Sequence, residues 1–167
     1  MFSVGQYVVH KTRGACQIKE QIQMNGGDYF LLISMIDESF KIYVPISLQG
    51  TVLRDVLEKQ AMEDIFLSLQ KKDVHWIENN KLRKDAYLKN YLTGDFSCIL
   101  ETVVALSNLK KSRISQALMF SRTDEEMLEK GTKLLSSEIA LAYHLTKDES
   151  VSLFKTKLSE YQNEMVS

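Results

Sequence analysis

Trp76 is the only tryptophan of the chain, and it lies in the polar stretch "VHWIENNKLRK" at 74–84. The cations Lys81, Arg83 and Lys84 follow it closely. Proteins use an apolar or aromatic side chain beside Lys and Arg to open a base step while the cations contact phosphates. Stacking on one base contributes about 1–3 kcal/mol, enough to hold distorted DNA but too little to read a sequence. The spacing therefore indicates a non-specific contact with nucleic acid.

The same tryptophan has a second, structural interpretation. If 76–92 forms a helix, Trp76 lies about a quarter turn or more away from the apolar stripe. In the alternative, Trp76 lies at a frayed helix start and folds over the junction between the two halves of the chain, burying about 150–250 Å². The sequence leaves both interpretations open. The predicted buried stripe consists of Ile77, Leu88, Tyr91 and Leu92. The predicted polar face, which carries Trp76, consists of Asn79, Asn80, Arg83, Lys84, Tyr87 and Asn90.

A second basic cluster, "KKSR", lies at 110–113. Cations at the end of a helix also suit the helix dipole, so a solvated helix terminus is the alternative interpretation. Phosphate contacts become effective through counterion release only when the cations share one surface. The residues predicted to contact DNA are Trp76, Lys81, Arg83, Lys84, Lys110, Lys111 and Arg113.

Catalytic motifs are absent from the sequence. His10, His75 and His144 are scattered, and no GxSxG, HExxH or GxxxxGK[ST] pattern occurs. Cys16 and Cys98 lie far apart, without the spacing of a zinc site or a disulfide framework. We therefore expect no enzyme activity, no catalytic residue, no metal, no cofactor and no small-molecule substrate. A hydrolase whose site lacks these motifs is a remaining alternative.

Length and charge restrict the class of protein. A chain of 167 residues that is 44% hydrophobic fits one large domain or two small ones. The net charge is −1, but 71–122 carries ten basic against five acidic residues, and 123–167 carries five against nine. Positive charge is thus concentrated around Trp76. The apolar runs are too short to span a membrane and no signal segment is evident, so we expect a soluble cytoplasmic protein.

The first half of the chain has the pattern of a small β domain. Four short stretches rich in β-branched and aromatic residues, with partial alternation, are separated by turns. "NGG" at 25–27 predicts a tight hairpin, because Asn and Gly accept positive φ. Four or five antiparallel strands predict a Tudor-like or SH3-like barrel over 1–54.

Helical periodicity follows, and with the barrel it predicts an α+β fold ending in a compact bundle of about five helices over 55–167. Asp95 is a predicted N-cap, and "TDEE" at 123–126 and "TKDE" at 146–149 are predicted capping boxes. Two further helices are expected at roughly 55–70 and 76–92. The predicted apolar stripes are Phe96, Ile99, Leu100, Val103 and Leu106; then Met127, Leu128, Leu134, Leu135, Ile139 and Ala142; then Val151, Phe154, Leu158, Tyr161 and Met165.

The order of these motifs resembles a known family. "MFSVGQYVVHKTRGACQI" at the N-terminus is similar to the opening of the CarD/CdnL-type bacterial transcription regulators. "YVPI" at 43–46 and "LRDV" at 53–56 resemble the end of that family's barrel. The lone Trp before a basic helix, "LTGD" at 92–95, "ETVVAL" at 101–106 and "EMLEKGTKLLSSEIALA" at 126–142 are similar to its helical half.

The resemblance implies a function. A Tudor-like barrel docks on the β subunit of RNA polymerase by strand addition, and the helical domain contacts promoter DNA at the upstream edge of the transcription bubble. Trp76 would be the wedge in the minor groove, with Arg83 and Lys84 in the basic stretch after it. The polymerase-facing residues implied by position are Gln21, Gln23, Met24 and Tyr43.

Two hypotheses from different classes result. In the first, the protein regulates transcription without being an enzyme, binds the polymerase β subunit through 1–54, and stabilises the open promoter through weak, non-sequence-specific DNA contacts. The second is a protein–protein adaptor whose barrel recruits a partner and whose bundle makes no DNA contact. Steep salt dependence of DNA affinity is expected only for the first.

Overall fold

The structure, a computed structural model, describes residues 1–164 and has an α+β fold, as predicted. A five-stranded antiparallel sheet is followed by a helical bundle. The strands are β1 (Tyr7–His10), β2 (Gly14–Met24), β3 (Gly27–Ser34), β4 (Lys41–Pro45) and β5 (Leu53–Asp55). The helices are α1 (Gln49–Val52), α2 (Lys59–Gln70), α3 (Asn80–Leu92), α4 (Phe96–Ser115), α5 (Arg122–Ala142) and α6 (Lys147–Glu164). Met165, assigned to the last apolar stripe, lies outside the described residues.

The sheet has the strand order β4-β3-β2-β1-β5. The predicted hairpin is confirmed: Met24 pairs with Gly27 across a two-residue turn in which Asn25 and Gly26 have φ of 52° and 77°. Positive φ at both turn positions matches the twist of the strands that the turn connects. One face of the curled sheet encloses a small core of Val8, Cys16, Ile18, Phe30, Leu32, Val44 and Leu53.

The predicted Tudor-like or SH3-like barrel is not closed, because no hydrogen-bonded ladder joins β4 to β5 within residues 1–164. Pro45 ends β4 and has no N–H to donate to a further ladder. A 3₁₀ turn over Ile46–Leu48 and the single turn of α1 cross the gap between the two edge strands. Ile46 and Val52 of this crossing pack against the core of the sheet, so side chains cover the open side without strand pairing.

Five helices, α2 to α6, form the bundle, and most of their predicted features are confirmed. The Asp95 carboxylate accepts a hydrogen bond from the Cys98 N–H at 2.8 Å. In the predicted capping box at α6, the Thr146 N–H donates to Glu149 at 2.9 Å and the Glu149 N–H donates to the Thr146 hydroxyl at 3.2 Å. The stripe of α4 is buried throughout, whereas Leu128, Ala142, Val151 and Leu158 of the other two stripes are partly buried.

Two predicted helix starts are wrong. The helix α3 begins at Asn80 rather than at residue 76, because the Asn79 side chain accepts the Leu82 N–H at 3.0 Å and caps the helix there. The helix α5 begins before the predicted Thr123, because the Ser121 hydroxyl accepts the Asp124 N–H at 3.1 Å.

The buried stripe predicted for α3 is confirmed for Tyr91, is only partly buried at Ile77 and Leu88, and is wrong for Leu92. Arg83, Tyr87 and Tyr91 are the buried residues of this helix, whereas Leu92 is 61% exposed. Three polar head groups enter the interior because each finds a partner there. The Arg83 guanidinium donates to the Asp124 carboxylate, the Tyr91 hydroxyl donates to the Met127 carbonyl at 2.7 Å, and the Tyr87 hydroxyl accepts from the Ile77 N–H at 3.4 Å.

A buried ion pair joins the sheet to the bundle. The Arg54 guanidinium on β5 donates two hydrogen bonds to the Glu138 carboxylate on α5, at 2.7 and 2.8 Å. Its Nε also donates to the Gly94 carbonyl at 2.9 Å, and the Leu57 N–H donates to Glu138 at 2.9 Å. Glu138 is only 2% exposed. One carboxylate therefore connects β5, the segment after it and α5.

Two glycines permit the close approach of the halves. Gly14 has φ of 76°, and a Cβ there would lie 3.1 Å from the Ser137 Oγ and 3.2 Å from Leu134. Gly94 has φ of 67°, and a Cβ would lie 2.6 Å from the Lys11 Cα. The Ser137 hydroxyl also accepts the Ala15 N–H at 3.2 Å. Only glycine combines positive φ with this lack of space.

Replacing Glu138 with Ala should lower the free energy of unfolding by about 3 kcal/mol, because it leaves Arg54 partly buried without its partner. Chemical denaturation measures the change. Glu125→Ala removes the more exposed pair with Lys110 and should cost less than about 1 kcal/mol. Equal losses of unfolding free energy for the two variants would show that the Arg54–Glu138 pair contributes no more to stability than a surface ion pair.

Candidate functional site

Trp76 lies in the extended connection between α2 and α3, not on a helix. Its side chain is partly buried and packs against the core of the bundle, and its Nε1–H donates to the Glu78 carboxylate at 2.8 Å. The Asn108 side chain also donates to the Val74 carbonyl at 3.5 Å. The indole therefore rests on the bundle and keeps an exposed part, but it does not lie at the helix start that the structural interpretation assumed.

Arg83, predicted to contact DNA, is instead an internal structural residue with 2% exposure. Its Nε and one terminal nitrogen donate to the Asp124 carboxylate at 2.9 and 2.7 Å. The remaining donors bind the Ile77 carbonyl at 2.7 Å, the Glu78 carbonyl at 3.0 Å and the Asn80 side chain at 2.8 Å. All five guanidinium N–H groups are therefore used, and none is left for a phosphate.

The Arg83–Asp124 pair determines where Trp76 lies. Arg83 holds the two carbonyls that directly follow Trp76 in the chain, and Glu78 binds the indole N–H. Burial acts to raise the pKa of Asp124, but hydrogen bonds from Arg83 and Ser121 outweigh it and hold the pKa below its usual value. Asp124 is therefore an anion near neutral pH and keeps the arginine in place.

The other predicted cations differ in availability. Lys110 pairs with Glu125 at 2.9 Å and lies 5.6 Å from the centre of the Phe120 ring. Of the cations predicted to contact DNA, Lys81, Lys84, Lys111 and Arg113 form no ion pair with a carboxylate of residues 1–163. Of these four, only Arg113 is partly buried, and the lysines are exposed. The available positive charge therefore lies on α3 and at the end of α4.

The residues predicted to face a polymerase lie on two strands. Gln21, Gln23 and Met24 are on β2, whereas Tyr43 is on β4, with β3 between them. Opposite residues of an antiparallel pair share one face, and successive residues alternate. Met24 and Tyr43 therefore share the face that points away from the small core, whereas Gln21 pairs with the buried Phe30 and points to the other face.

Sequence reasoning missed the apolar residues around Tyr43. Its direct partner Leu31 is 8% exposed, and Ile22 pairs with the partly buried Tyr29 on the same side. We call this the outer face, formed by Ile22, Met24, Tyr29, Leu31 and Tyr43. The signal was present in "DYFLLIS", which is apolar at consecutive positions and so indicates a strand with two apolar faces.

The same hairpin presents unpaired backbone. The ladder between β1 and β2 stops at Gln17, and Ile18 makes the last backbone contacts with the preceding segment. Beyond that point β2 pairs only with β3, so its second edge is open. The outer strand β4 likewise has one free edge. Such edges present N–H and C=O groups to which an extended segment can add.

The side chains of residues 1–163 offer few candidates for a metal site or a reactive thiol. No group of three or more His, Cys, Asp or Glu side chains is placed to hold a metal ion there. Burial raises the pKa of the Cys16 thiol to about 12, which leaves it an inert core residue, and Cys98 is partly buried. Among the described helices, none is both long and apolar enough to cross a membrane.

The family model described as CarD-like/TRCF RID domain matches residues 2–57. The N-terminal part of this chain is a CarD-like domain. The resemblance stated from the sequence is confirmed for this part, and a domain of this type implies interaction with RNA polymerase. The match covers the whole sheet and ends just before α2. A search of curated proteins found no match to the chain.

Replacing Asp124 with Asn should lower the free energy of unfolding by about 3 kcal/mol, because it leaves Arg83 buried and uncompensated. It should also increase quenching of Trp76 fluorescence by a soluble quencher, since the adjacent carbonyls lose their anchor. Glu126→Gln, which disturbs the exposed pair with Arg122, is the matched control and should change neither quantity measurably.

The stability difference between wild type and Asp124→Asn should depend on pH. The pKa of Asp124 is lowered in the folded state, so its contribution is fully present above the unfolded value of about 4. It is lost as pH falls through the folded value. The difference should therefore shrink below about pH 4, and a constant difference in acid would contradict the assignment.

Proposed function

We propose that this protein is a transcription regulator that binds the β subunit of RNA polymerase through its CarD-like domain and slows closure of the transcription bubble through Trp76. The observation that carries the proposal is the placement of Trp76. It is a partly exposed ring, held by the buried Arg83–Asp124 pair, on the same chain as a CarD-like domain.

The polymerase contact is proposed for the outer face and the open strand edges beside it. The face offers apolar side chains around Tyr43, which is 46% exposed. The free edges of β2 and β4 offer backbone groups, which make few demands on the side chains of a partner. Aromatic anchors beside an open edge are a common basis of strand addition, with the edge supplying affinity and the side chains specificity.

The DNA contact is proposed for the end of the bundle that carries Trp76, with Lys81, Lys84, Lys111 and Arg113 as phosphate contacts. Arg83 and Lys110 are not included among the proposed phosphate contacts, because Arg83 is buried and Lys110 is paired with Glu125. Fewer available cations imply weak binding in isolation. Polymerase binding would raise the local concentration of the bundle beside DNA to about the millimolar range, so weak contacts suffice.

The adaptor remains the second candidate, because two predicted phosphate contacts pair with carboxylates of the protein itself, Arg83 in the interior and Lys110 at the surface. Titration with salt separates the candidates. A regulator that touches phosphates loses DNA affinity steeply as salt rises, whereas an adaptor shows no DNA binding to titrate. Enzyme activity is not proposed.

Trp76→Ala should shorten the lifetime of the open promoter complex by about tenfold in the presence of RNA polymerase, because a stacking contact is lost. Competitor challenge of preformed complexes measures the lifetime. Trp76→Phe keeps an aromatic ring and should retain part of the effect. An unchanged lifetime for Trp76→Ala, with polymerase still bound, would end the wedge mechanism.

Tyr43→Glu should weaken binding to the isolated polymerase β subunit by about tenfold or more, because it places a charge in the centre of an apolar contact. Surface plasmon resonance measures this affinity. Leu67→Glu on α2, where Leu67 is 55% exposed and lies outside the sheet, is the control and should leave it unchanged. Equal weakening by both variants would exclude the outer face as the contact.

A further inference from the structure

The connection between α4 and α5 carries apolar side chains in solvent. Ile114 is 65% exposed, Leu118 is 47% exposed and Met119 is 90% exposed. Each is large enough to contribute about 1.5–3 kcal/mol on full burial. We call Leu118 and Met119 the tip.

The tip is held in place on both sides. Two hydrogen bonds close the end of α4. The Leu118 N–H donates to the Arg113 carbonyl at 2.7 Å, and the Ala117 N–H donates to the Ile114 carbonyl at 3.1 Å. Ala117 has φ of 53°, the left-handed conformation that this closure requires. After the tip, Phe120 packs against the core of the bundle. An ordered backbone lowers the entropy cost of binding, because only the exposed side chains must then be fixed in a groove.

The tip and Trp76 are connected by a short chain of hydrogen bonds. Ser121, two residues after Met119, binds Asp124 at 2.7 Å, and Asp124 binds Arg83. Arg83 in turn binds the carbonyls beside Trp76. The two apolar projections therefore emerge at the same end of the bundle, from segments anchored by one ion pair.

Charge around the tip favours a polyanion. The sequence between Glu101 and Asp124 contains no Asp or Glu, but it contains Lys110, Lys111, Arg113 and Arg122. Lys110 and Arg122 pair with carboxylates of α5, which leaves Lys111 and Arg113 as the available cations next to the tip. Lysine is depleted at the centres of protein–protein interfaces, whereas apolar wedges flanked by cations are typical of minor-groove contacts.

From these observations we infer that the tip is a second wedge, which inserts Met119 and Leu118 into the minor groove of double-stranded DNA beside the site of Trp76. Lys111 and Arg113 contact the adjacent phosphates. This inference rests on the proposed DNA contact of the bundle and extends it to a segment outside the CarD-like match. Two wedges would hold a distorted duplex at two steps instead of one.

The test uses the full chain with forked DNA, a duplex that ends in unpaired strands, and fluorescence anisotropy over a range of salt. The double variant Leu118→Gln/Met119→Gln should bind about tenfold more weakly than wild type. Its salt dependence should keep the wild-type slope, because no phosphate contact is removed. Lys111→Ala/Arg113→Ala should instead reduce that slope. Leu67→Gln is the matched control for an exposed leucine on α2.

Four outcomes decide between the two proposals. Weaker binding for the tip variant and for Trp76→Ala, but not for Leu67→Gln, supports the second wedge. If only Trp76→Ala weakens binding, the second wedge is overturned and the proposed function stands. Unchanged binding for both variants overturns the two together. If the tip variant binds DNA normally but loses RNA polymerase in pull-down, the tip is a protein contact and the inference is overturned. Unchanged thermal unfolding confirms that the variants are folded.

Discussion

The buried pair between Arg83 and Asp124 is the interaction on which the candidate site depends. A guanidinium without partners could not stay in this interior, because burying an unpaired charge costs several kcal/mol. Here the carboxylate and three further oxygens use every donor. Satisfying Arg83 requires the Ile77 and Glu78 carbonyls at one place, and Trp76 is placed as a consequence. A buried cation thus fixes the backbone beside a partly exposed ring.

The pair between Arg54 and Glu138 has the corresponding role for the whole molecule. It joins β5 to α5, and Gly14 and Gly94 allow backbone contact between the sheet and the bundle. If the sheet binds a polymerase and the bundle touches DNA, as proposed, the two must keep a defined relation for one to position the other. Rigid attachment costs less entropy on binding than a flexible linker, and it lets weak DNA contacts act at a defined place.

The charge distribution fits such a tethered mechanism better than independent DNA binding. The net charge is −1, and three basic residues of the bundle, Arg83, Lys110 and Arg122, pair with carboxylates of α5. An independent DNA-binding protein depends on many phosphate contacts and the counterions that they release. This chain presents few available cations together with exposed apolar side chains, which favours recognition of distorted DNA over coating of regular duplex.

Local patterns in the sequence determined the α+β class, the Asn25-Gly26 hairpin, the caps at Asp95 and Thr146, and the stripe of α4, since each depends on residues close together in the chain. The opening motif also identified the CarD-like domain. Only the tertiary structure decided that Arg83 is buried and paired. Its partner Asp124 lies 41 residues away, and periodicity carries no information on such pairing. Whether β4 pairs with β5, and whether Lys110 is already paired with a carboxylate, also depend on partners distant in the sequence. Long-range hydrogen bonding therefore determined which predicted cations are free to bind.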